Sequence, residues 1–389
     1  MHEFFYKYLK LFLTIYHLIN FEPISMDSNA SLHQLFFLEK SSTNLIPEKF
    51  IWPKEENHNI TSHEELNEPI VDLEGFFNGD KDTTRRTTEL IRSACLSHGL
   101  FQVINHGVNL KLINSVHDHV KDFFKLPIDE KLRVQRVPGS FWGYSFAHAD
   151  RFTLNLPWKE TLSCCFHENG HDSEAAGFFK SAFGEECEHT GLIFKEYCKA
   201  MTKLSLTIIE ILEMSLGVDN SYFKEIFKDG SSIMRCNFYP PCQEPGLALG
   251  TGPHCDPTAL TILHQDQVGG LQVLSDGKWK SVRPRHGALV VNLGDTLEAL
   301  SNGVYKSCPH RAIVNKSMER ISLVFFFCPS EDKVIVPPEN LVTTERPRLY
   351  PDFKWSDFLQ FTQKYYRVDV STLLNFTKWL INHHHHQTT

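Results

Sequence analysis

The chain has 389 residues, of which 41% are hydrophobic and 22% are charged, with a formal net charge of −8 at pH 7. This composition is typical of globular proteins and excludes collagen-like, disordered and multi-span membrane proteins. Lys and Arg form no basic run, whereas sequence-independent nucleic-acid binding needs a clustered positive surface. We therefore expect no nucleic-acid partner.

The amino-terminal stretch from Phe4 to Phe21 is rich in apolar residues, but Lys7, Lys10 and His17 interrupt it. It is too short and too charged to predict a membrane span, and no small-residue cleavage site follows it. We interpret residues 1–25 as an extension without a catalytic role and expect no stable membrane insertion. A peripheral membrane helix is the alternative.

The ten cysteines are scattered along the chain without a C-x-x-C pair. Such a pattern favours reduced, mostly buried thiols over a zinc ribbon or a disulfide framework. The expected location is therefore cytoplasmic.

The first half of the chain has the patterns of helices separated by short strands. Strands are predicted over 69–73 and 100–105, and helices over 83–97, 110–125 and 188–216. Gly99 follows the first of these helices, where its conformational freedom suits a left-handed cap.

After Ser232 short β-rich runs alternate with turn residues such as Gly269-Gly270 and Asp276-Gly277. The predicted strands are 233–239, 259–264, 271–274, 279–282, 288–292, 312–314 and 321–328. Strands at this spacing predict an antiparallel sandwich or jelly roll. The fold class is therefore mixed α+β, with helices before the β-rich half.

Residues His254-Cys255-Asp256 form a His-x-Asp motif, and His310 follows Asp256 by 54 residues. On a strand, residues two apart share a face, so the imidazole and the carboxylate can converge. Two histidines and one carboxylate form the facial triad of non-haem Fe(II) enzymes. For either histidine alone, a surface or core role is the default interpretation.

Arg320 and Ser322 begin a strand-like run ten residues after His310. The two-residue period places both side chains on one face, where a guanidinium and a hydroxyl suit a carboxylate. An arginine at a solvated strand end is the alternative. Together with the triad, this pair favours a 2-oxoglutarate- and Fe(II)-dependent dioxygenase.

The run from Asn237 to Cys242, the triad, and Arg320-x-Ser322 resemble plant soluble 2-oxoglutarate-dependent dioxygenases. The resemblance extends from about Pro69 to Leu380. It implies a double-stranded β-helix core of the jelly-roll or cupin type, flanked by helices. It also implies that His254, Asp256 and His310 bind catalytic Fe(II), with 2-oxoglutarate and O2 as co-substrates and ascorbate as reductant. Tyr239 and Asn237 are then expected to help hold 2-oxoglutarate.

Three stretches narrow the resemblance to gibberellin 20-oxidases: residues 50–53, 156–161 and 251–273. This implies stepwise oxidation and loss of carbon-20 from a twenty-carbon gibberellin, a diterpenoid. Trp158, Lys159 and Glu160 are the predicted substrate residues, with Trp158 offering a flat apolar face and Lys159 a cation. A loop that packs Trp158 on the core is the alternative for this segment. A sister dioxygenase acting on another gibberellin position, a flavonoid or another plant metabolite is the alternative function.

We expect the chain to be a monomer. We also expect it to be organised in five parts. An extension covers 1–60, a helix-rich section 61–225, the catalytic core 226–335, a helical section 336–382 and a polar His-rich tail 383–389. Four residues depart from the family pattern: Cys236, Phe238, Pro309 before His310 and Ile321 after Arg320. Because proline lacks an amide donor, Pro309 is expected to affect the strand that carries His310.

Overall fold

The computed structural model describes residues 46–53, 64–137, 139–149, 152, 154–167, 179, 184, 187–219, 221–365 and 371–387. The predicted extension 1–25 lies outside the described residues.

Among the described residues, a large sheet forms one wall of the β-rich core. Its strands, in spatial order, are β1 (Ile70–Asp72), β2 (Leu100–Ile104), β10 (Leu289–Leu293), β7 (Leu260–Gln265), β12 (Arg320–Phe327), β5 (Ser231–Tyr239), β4 (Glu160–His167) and β3 (Gly143–Phe146). β1 pairs with β2 in parallel, and all other neighbours are antiparallel. The central strand β12 therefore lies between β5 and β7.

A smaller antiparallel sheet contains β6 (Leu249–His254), β11 (His310–Ile313), β8 (Leu271–Ser275) and β9 (Lys278–Ser281), in that order. From β5 to β12 the chain passes back and forth between the two sheets. This alternation is that of a jelly roll, which confirms the predicted double-stranded β-helix. A short hairpin-like pair, β13 (Val334–Ile335) and β14 (Phe353–Lys354), follows.

The helices lie mainly on the outer face of the large sheet. They are α1 (Glu74–Phe77), α2 (Lys81–Ser97), α3 (Leu110–Lys125), α4 (Ile128–Leu132), α5 (Glu188–Leu216), α6 (Tyr222–Phe227), α7 (Asp295–Leu300), α8 (Trp355–Tyr365) and α9 (Thr372–Gln387), with 3-10 turns at Glu48–Phe50 and Glu339–Leu341. The bounds of α3 and α5 match the predicted ones. α5 contacts β5, β7 and β12 and is flanked by α2 and α3.

Alternation along β12 separates two apolar clusters. Ile321, Leu323 and Phe325 belong to the main core beneath the helices. Val324 belongs to a smaller cluster together with residues of both sheets, such as Leu263 and Val273. Arg320 and Ser322 share the two-residue period with Val324, so they face the space between the sheets.

The chain ends differ in part from expectation. Residues 46–53, inside the predicted extension, pack on the core, and Phe50 and Trp52 are buried. α9 continues through Gln387, so residues 383–387 of the predicted polar tail are helical. Within the described residues, no helix is both long and apolar enough to cross a membrane.

His264 on β7 gives the fold a dependence on pH. Burial first, and then the nearby imidazoles of His117, His106 and His286, lower the pKa of His264 to about 4. The Nδ1 atom of His264 and the Nε2 atom of His117 have no hydrogen-bond partner among the described residues. A proton on His264 is therefore costly in the folded state.

We expect the free energy of unfolding to fall as the pH drops from about 6.5 to about 4, because unfolded His264 takes up a proton that the folded chain resists. His264→Gln should remove up to about 3 kcal/mol of this loss. Urea denaturation across the pH range measures it. His167→Gln, at an exposed position, is the control and should follow the unaltered protein. An unchanged profile in His264→Gln would contradict the assignment.

Candidate metal centre and substrate cavity

Three predicted metal ligands meet at the edge of the smaller sheet. His254 ends β6, His310 begins β11, and the two residues are paired in the β-sheet register. The distance from Asp256 Oδ1 to His254 Nε2 is 3.4 Å, and that from Asp256 Oδ2 to His310 Nε2 is 3.8 Å. One ligand atom from each residue fits within 4.8 Å of the others, so the group can hold a metal ion.

The reason for this convergence differs from the expected one. The His-x-Asp motif does not lie within a strand, since β6 ends at His254 and Asp256 lies beyond it. The backbone N–H of Asp295 donates to the carbonyl of Asp256 at 2.8 Å and holds the chain at this point. The path of the chain after β6, rather than the pleat of a strand, brings the carboxylate to the imidazoles.

Hydrogen bonds fix the orientation of each ligand. His254 Nδ1 donates to the Gly252 carbonyl and His310 Nδ1 to the Cys308 carbonyl, both at 2.9 Å. In this tautomer each Nε2 keeps its lone pair for a metal. Asp256 Oδ2 accepts hydrogen bonds from Thr261 Oγ1 at 2.6 Å and from Asn292 Nδ2 at 2.9 Å.

The charges of the site suit a divalent cation. Burial alone would raise the pKa of Asp256, but His310, His254 and the Thr261 hydroxyl outweigh burial and hold this pKa well below its usual value. Burial, followed by the charge of His254, lowers the pKa of His310 to about 4. An ionised carboxylate and neutral imidazoles are the protonation states that bind Fe(II).

Arg320, at the start of β12, is the predicted carboxylate anchor and is 3% exposed. Its Nη2 donates to Gln265 Oε1 at 3.3 Å, and its guanidinium lies 4.9 Å from the centre of the Tyr239 ring. Among the described residues, its Nε and Nη1 have no hydrogen-bond partner. A buried guanidinium with two unused donor atoms needs an anion, and the distal carboxylate of 2-oxoglutarate fits this need.

The other predicted co-substrate residues surround this arginine. Tyr239 lies opposite Arg320, and Asn237 opposite Ser322, in the pairing of β5 with β12. Asn237 Nδ2 donates to Ser322 Oγ at 3.2 Å. The structure therefore brings all four residues to one end of the central strands.

A cavity of about 350 Å³ opens beside the metal centre. Its lining includes Trp52, Phe141, His148, Phe152, Leu154, Asn155, Pro157, Lys159, Ile233, Arg235, Thr251, His254, Asp256, Phe326 and Leu359. Apart from the metal ligand Asp256, the charged residues in this lining are the cations Lys159 and Arg235. The cavity therefore suits a largely apolar ligand that carries a carboxylate.

Lys159 is 4% exposed, and its Nζ donates to Thr251 Oγ1 at 3.0 Å. Burial first, and then the guanidinium groups of Arg235, Arg136 and Arg320, hold the pKa of Lys159 well below its usual value. An anion in the cavity would offset both effects and favour the charged ammonium.

Trp158 and Glu160 do not line this cavity. The indole of Trp158 packs edge-on against Phe50 at 5.2 Å, and its Nε1 donates to the Pro240 carbonyl at 3.1 Å. Glu160 is buried in an ion pair with Lys131 at 2.6 Å. Of the three predicted substrate residues, the structure places Lys159 at the cavity.

Sequence reasoning missed Arg235 and Trp52. The family resemblance named Asn237 and Tyr239 but not Arg235. The two-residue period of a strand places Arg235 on the same face of β5 as these two residues, and this signal could have found it. Arg235 Nε donates to Ser163 Oγ at 3.0 Å. Trp52 lies in the stretch 50–53 that carried part of the resemblance, but nothing local in this stretch indicated the cavity, since the neighbours of Trp52 on the cavity wall come from distant parts of the chain.

Comparisons with known proteins agree with this geometry. The family model described as 2OG-Fe(II) oxygenase superfamily matches residues 230–329. A second model, non-haem dioxygenase in morphine synthesis N-terminal, matches residues 69–181.

Curated relatives match most of the chain. Gibberellin 20 oxidase 2 of Oryza sativa subsp. indica is 53% identical over 335 residues, which cover 86% of this chain and 85% of that protein. Gibberellin 20 oxidase 2 of Arabidopsis thaliana is 49% identical over 337 residues, covering 86% and 88%. Among solved structures, JOX2 in complex with 2OG, Fe and JA is 31% identical, with a TM-score of 0.76 over 92% of this chain and 98% of that one.

Asn292→Ala should weaken Fe(II) binding about 10-fold, because Asp256 loses a donor that orients its carboxylate. An anaerobic Fe(II) titration measures the affinity. Asn340→Ala is the matched control, since the Asn340 amide donates to the Gly217 carbonyl, outside the site. Equal Fe(II) affinity in the Asn292 variant and the unaltered protein would contradict the orienting role.

Proposed function

Because the chain belongs to the gibberellin 20 oxidases, a family of the 2OG-Fe(II) oxygenase superfamily, we propose that it oxidises carbon-20 of a twenty-carbon gibberellin. It is a 2-oxoglutarate-dependent dioxygenase that uses Fe(II) and O2. The proposed reaction oxidises carbon-20 stepwise to an alcohol and an aldehyde and then removes this carbon. The product has nineteen carbons.

The observation that carries the proposal is the cationic, otherwise largely apolar cavity beside the metal ligands. A gibberellin combines a fused-ring hydrocarbon skeleton with a carboxylate, so it matches both properties of the cavity. Lys159 and Arg235 would bind the carboxylate while the apolar residues pack on the rings.

The residues of this chain bind and orient the reactants. His254, Asp256 and His310 would hold Fe(II), which with 2-oxoglutarate and O2 supplies the oxidising chemistry. Arg320 and Ser322 would bind the distal carboxylate of 2-oxoglutarate, with Tyr239 and Asn237 beside them. Thr261 and Asn292 donate the hydrogen bonds that orient the Asp256 carboxylate. A substrate packed in the cavity would keep water away from the reacting carbon.

We also propose that the protein acts as a cytosolic monomer. All ten cysteines are free thiols, as expected in a reducing compartment. The catalytic core proposed for residues 226–335 is supported by β5 to β12, whose strands supply His254, His310 and the carboxylate anchor, with Asp256 shortly after β6.

Arg320→Lys should weaken 2-oxoglutarate binding at least about 10-fold, because an ammonium is a point charge and cannot replace the two N–H donors of the fork. Anaerobic titration of the Fe(II)-loaded protein with 2-oxoglutarate measures the affinity. Arg283→Lys is the control, because Arg283 pairs with Glu65 at an exposed position. Unchanged affinity in Arg320→Lys would contradict the anchor.

The function is tested with purified protein, Fe(II), ascorbate, 2-oxoglutarate and a twenty-carbon gibberellin, with products identified by mass spectrometry. We expect stepwise gain of oxygen at carbon-20 followed by loss of that carbon. Oxygenated products that retain all twenty carbons would instead indicate a sister enzyme acting on another position. An untouched gibberellin would contradict the proposed substrate class.

The same assay tests the carboxylate site. Lys159→Met should raise the KM for the gibberellin about 10-fold or more, because the substrate carboxylate loses its buried cation. Lys203→Met changes an exposed lysine of α5 and should leave the KM unchanged. A KM in Lys159→Met equal to that of the unaltered protein would remove Lys159 from the substrate site.

A further inference from the structure

Residues 46–53 lie before both regions that the family models match, yet one of them, Trp52, lines the cavity. The Trp52 backbone N–H donates to the Leu247 carbonyl at 2.9 Å. Its indole Nε1 donates to the Leu156 carbonyl at 3.4 Å, and the residue is 5% exposed. The backbone N–H of Leu156 in turn donates to the Lys49 carbonyl at 2.8 Å, which ties the segment to the chain that precedes Lys159.

The Trp52 ring fits against Gly252, two residues before His254. A Cβ atom at Gly252 would lie 2.1 Å from Trp52 Cη2 and 2.7 Å from Cζ3, so no other residue leaves room for this ring. The carbonyl of Gly252 accepts the hydrogen bond that orients His254. The same stretch of β6 therefore carries a metal ligand and seats the indole.

The chemistry of Trp52 suits a hydrophobic wall. Because its indole N–H is already bonded to a backbone carbonyl, the ring offers apolar surface to a ligand. Lys159 lines the same cavity and brings a cation. The cavity thus combines a flat aromatic surface with a carboxylate site, as a carboxylated polycyclic hydrocarbon requires.

We propose that Trp52 determines specificity by packing its indole against the ring skeleton of the substrate beside the metal centre. This inference rests on the proposed function, from which it takes the substrate class. It assigns to Trp52 the aromatic surface that the sequence pattern had suggested for Trp158.

The test uses the full chain loaded with Ni(II) and 2-oxoglutarate, titrated calorimetrically with a twenty-carbon gibberellin. Trp52→Ala should weaken gibberellin binding about 10-fold, and Trp52→Phe should recover most of the affinity. With Fe(II), the alanine variant should raise KM more than it lowers kcat and should form more succinate per oxidised product. Its affinity for 2-oxoglutarate should stay unchanged, which a general loss of structure would not allow.

Ile51→Ala is the matched control, since Ile51 lies in the same segment with 39% of its surface exposed. A second pair of variants tests whether the Trp52 ring packs against Gly252. Gly252→Ala should weaken gibberellin binding when Trp52 is present and much less in the Trp52→Ala background, because the clash is then absent.

Undiminished gibberellin affinity in Trp52→Ala, or an equal loss in Ile51→Ala, would overturn the inference while the proposed function stands. If Gly252→Ala lowered the gibberellin affinity equally in the unaltered protein and in the Trp52→Ala variant, the Trp52 ring would not depend on Gly252. This result would overturn the inference. If the unaltered protein neither bound nor oxidised the gibberellin, the proposed function would be wrong and the inference would fall with it.

Discussion

The pairing of β11 with β6 and β8 is the constraint on which the metal centre depends. His310 lies opposite both His254 and Val273, so strands on each side hold it in place. A slip of one residue would turn the imidazole to the other face of the sheet. Pro309 is compatible with this pairing because it precedes the strand, and its carbonyl still accepts a hydrogen bond from the Leu274 N–H at 2.9 Å.

The space between the sheets is unusually cationic for the interior of a protein. Arg320 and Lys159 are nearly inaccessible, and Arg235 is half-buried. Burying charge is costly unless a partner of opposite charge compensates it. The binding of two carboxylate-bearing molecules, 2-oxoglutarate at Arg320 and the proposed substrate at Lys159, would supply those partners. In the proposed function, part of the ligand affinity would therefore come from offsetting the free-energy cost of these buried charges.

In the segment around residue 158, neighbouring residues have different roles because they pack against different parts of the protein. The Trp158 ring contacts Phe50 and supports the wall from behind. The Glu160 carboxylate accepts hydrogen bonds from Lys131 and from the Tyr144 hydroxyl, which lies 2.7 Å away. These contacts stabilise the start of β4 and leave Lys159 directed to the cavity. Of these three neighbouring residues, Lys159 is therefore the one that lines the cavity, where we propose that it binds the substrate carboxylate.

The sequence by itself determined the helices α3 and α5, because their apolar periodicity is a local property. It also predicted the triad, which the structure brings together, and Arg320 as a carboxylate anchor, because these residue types are tied to their chemistry. It did not predict β6, since two glycines and a proline hide the alternation of that strand. Only the tertiary structure decided that Asp256 converges after the strand and that Trp52, not Trp158, faces the cavity. Both outcomes depend on contacts between residues far apart in the chain, which no local pattern encodes.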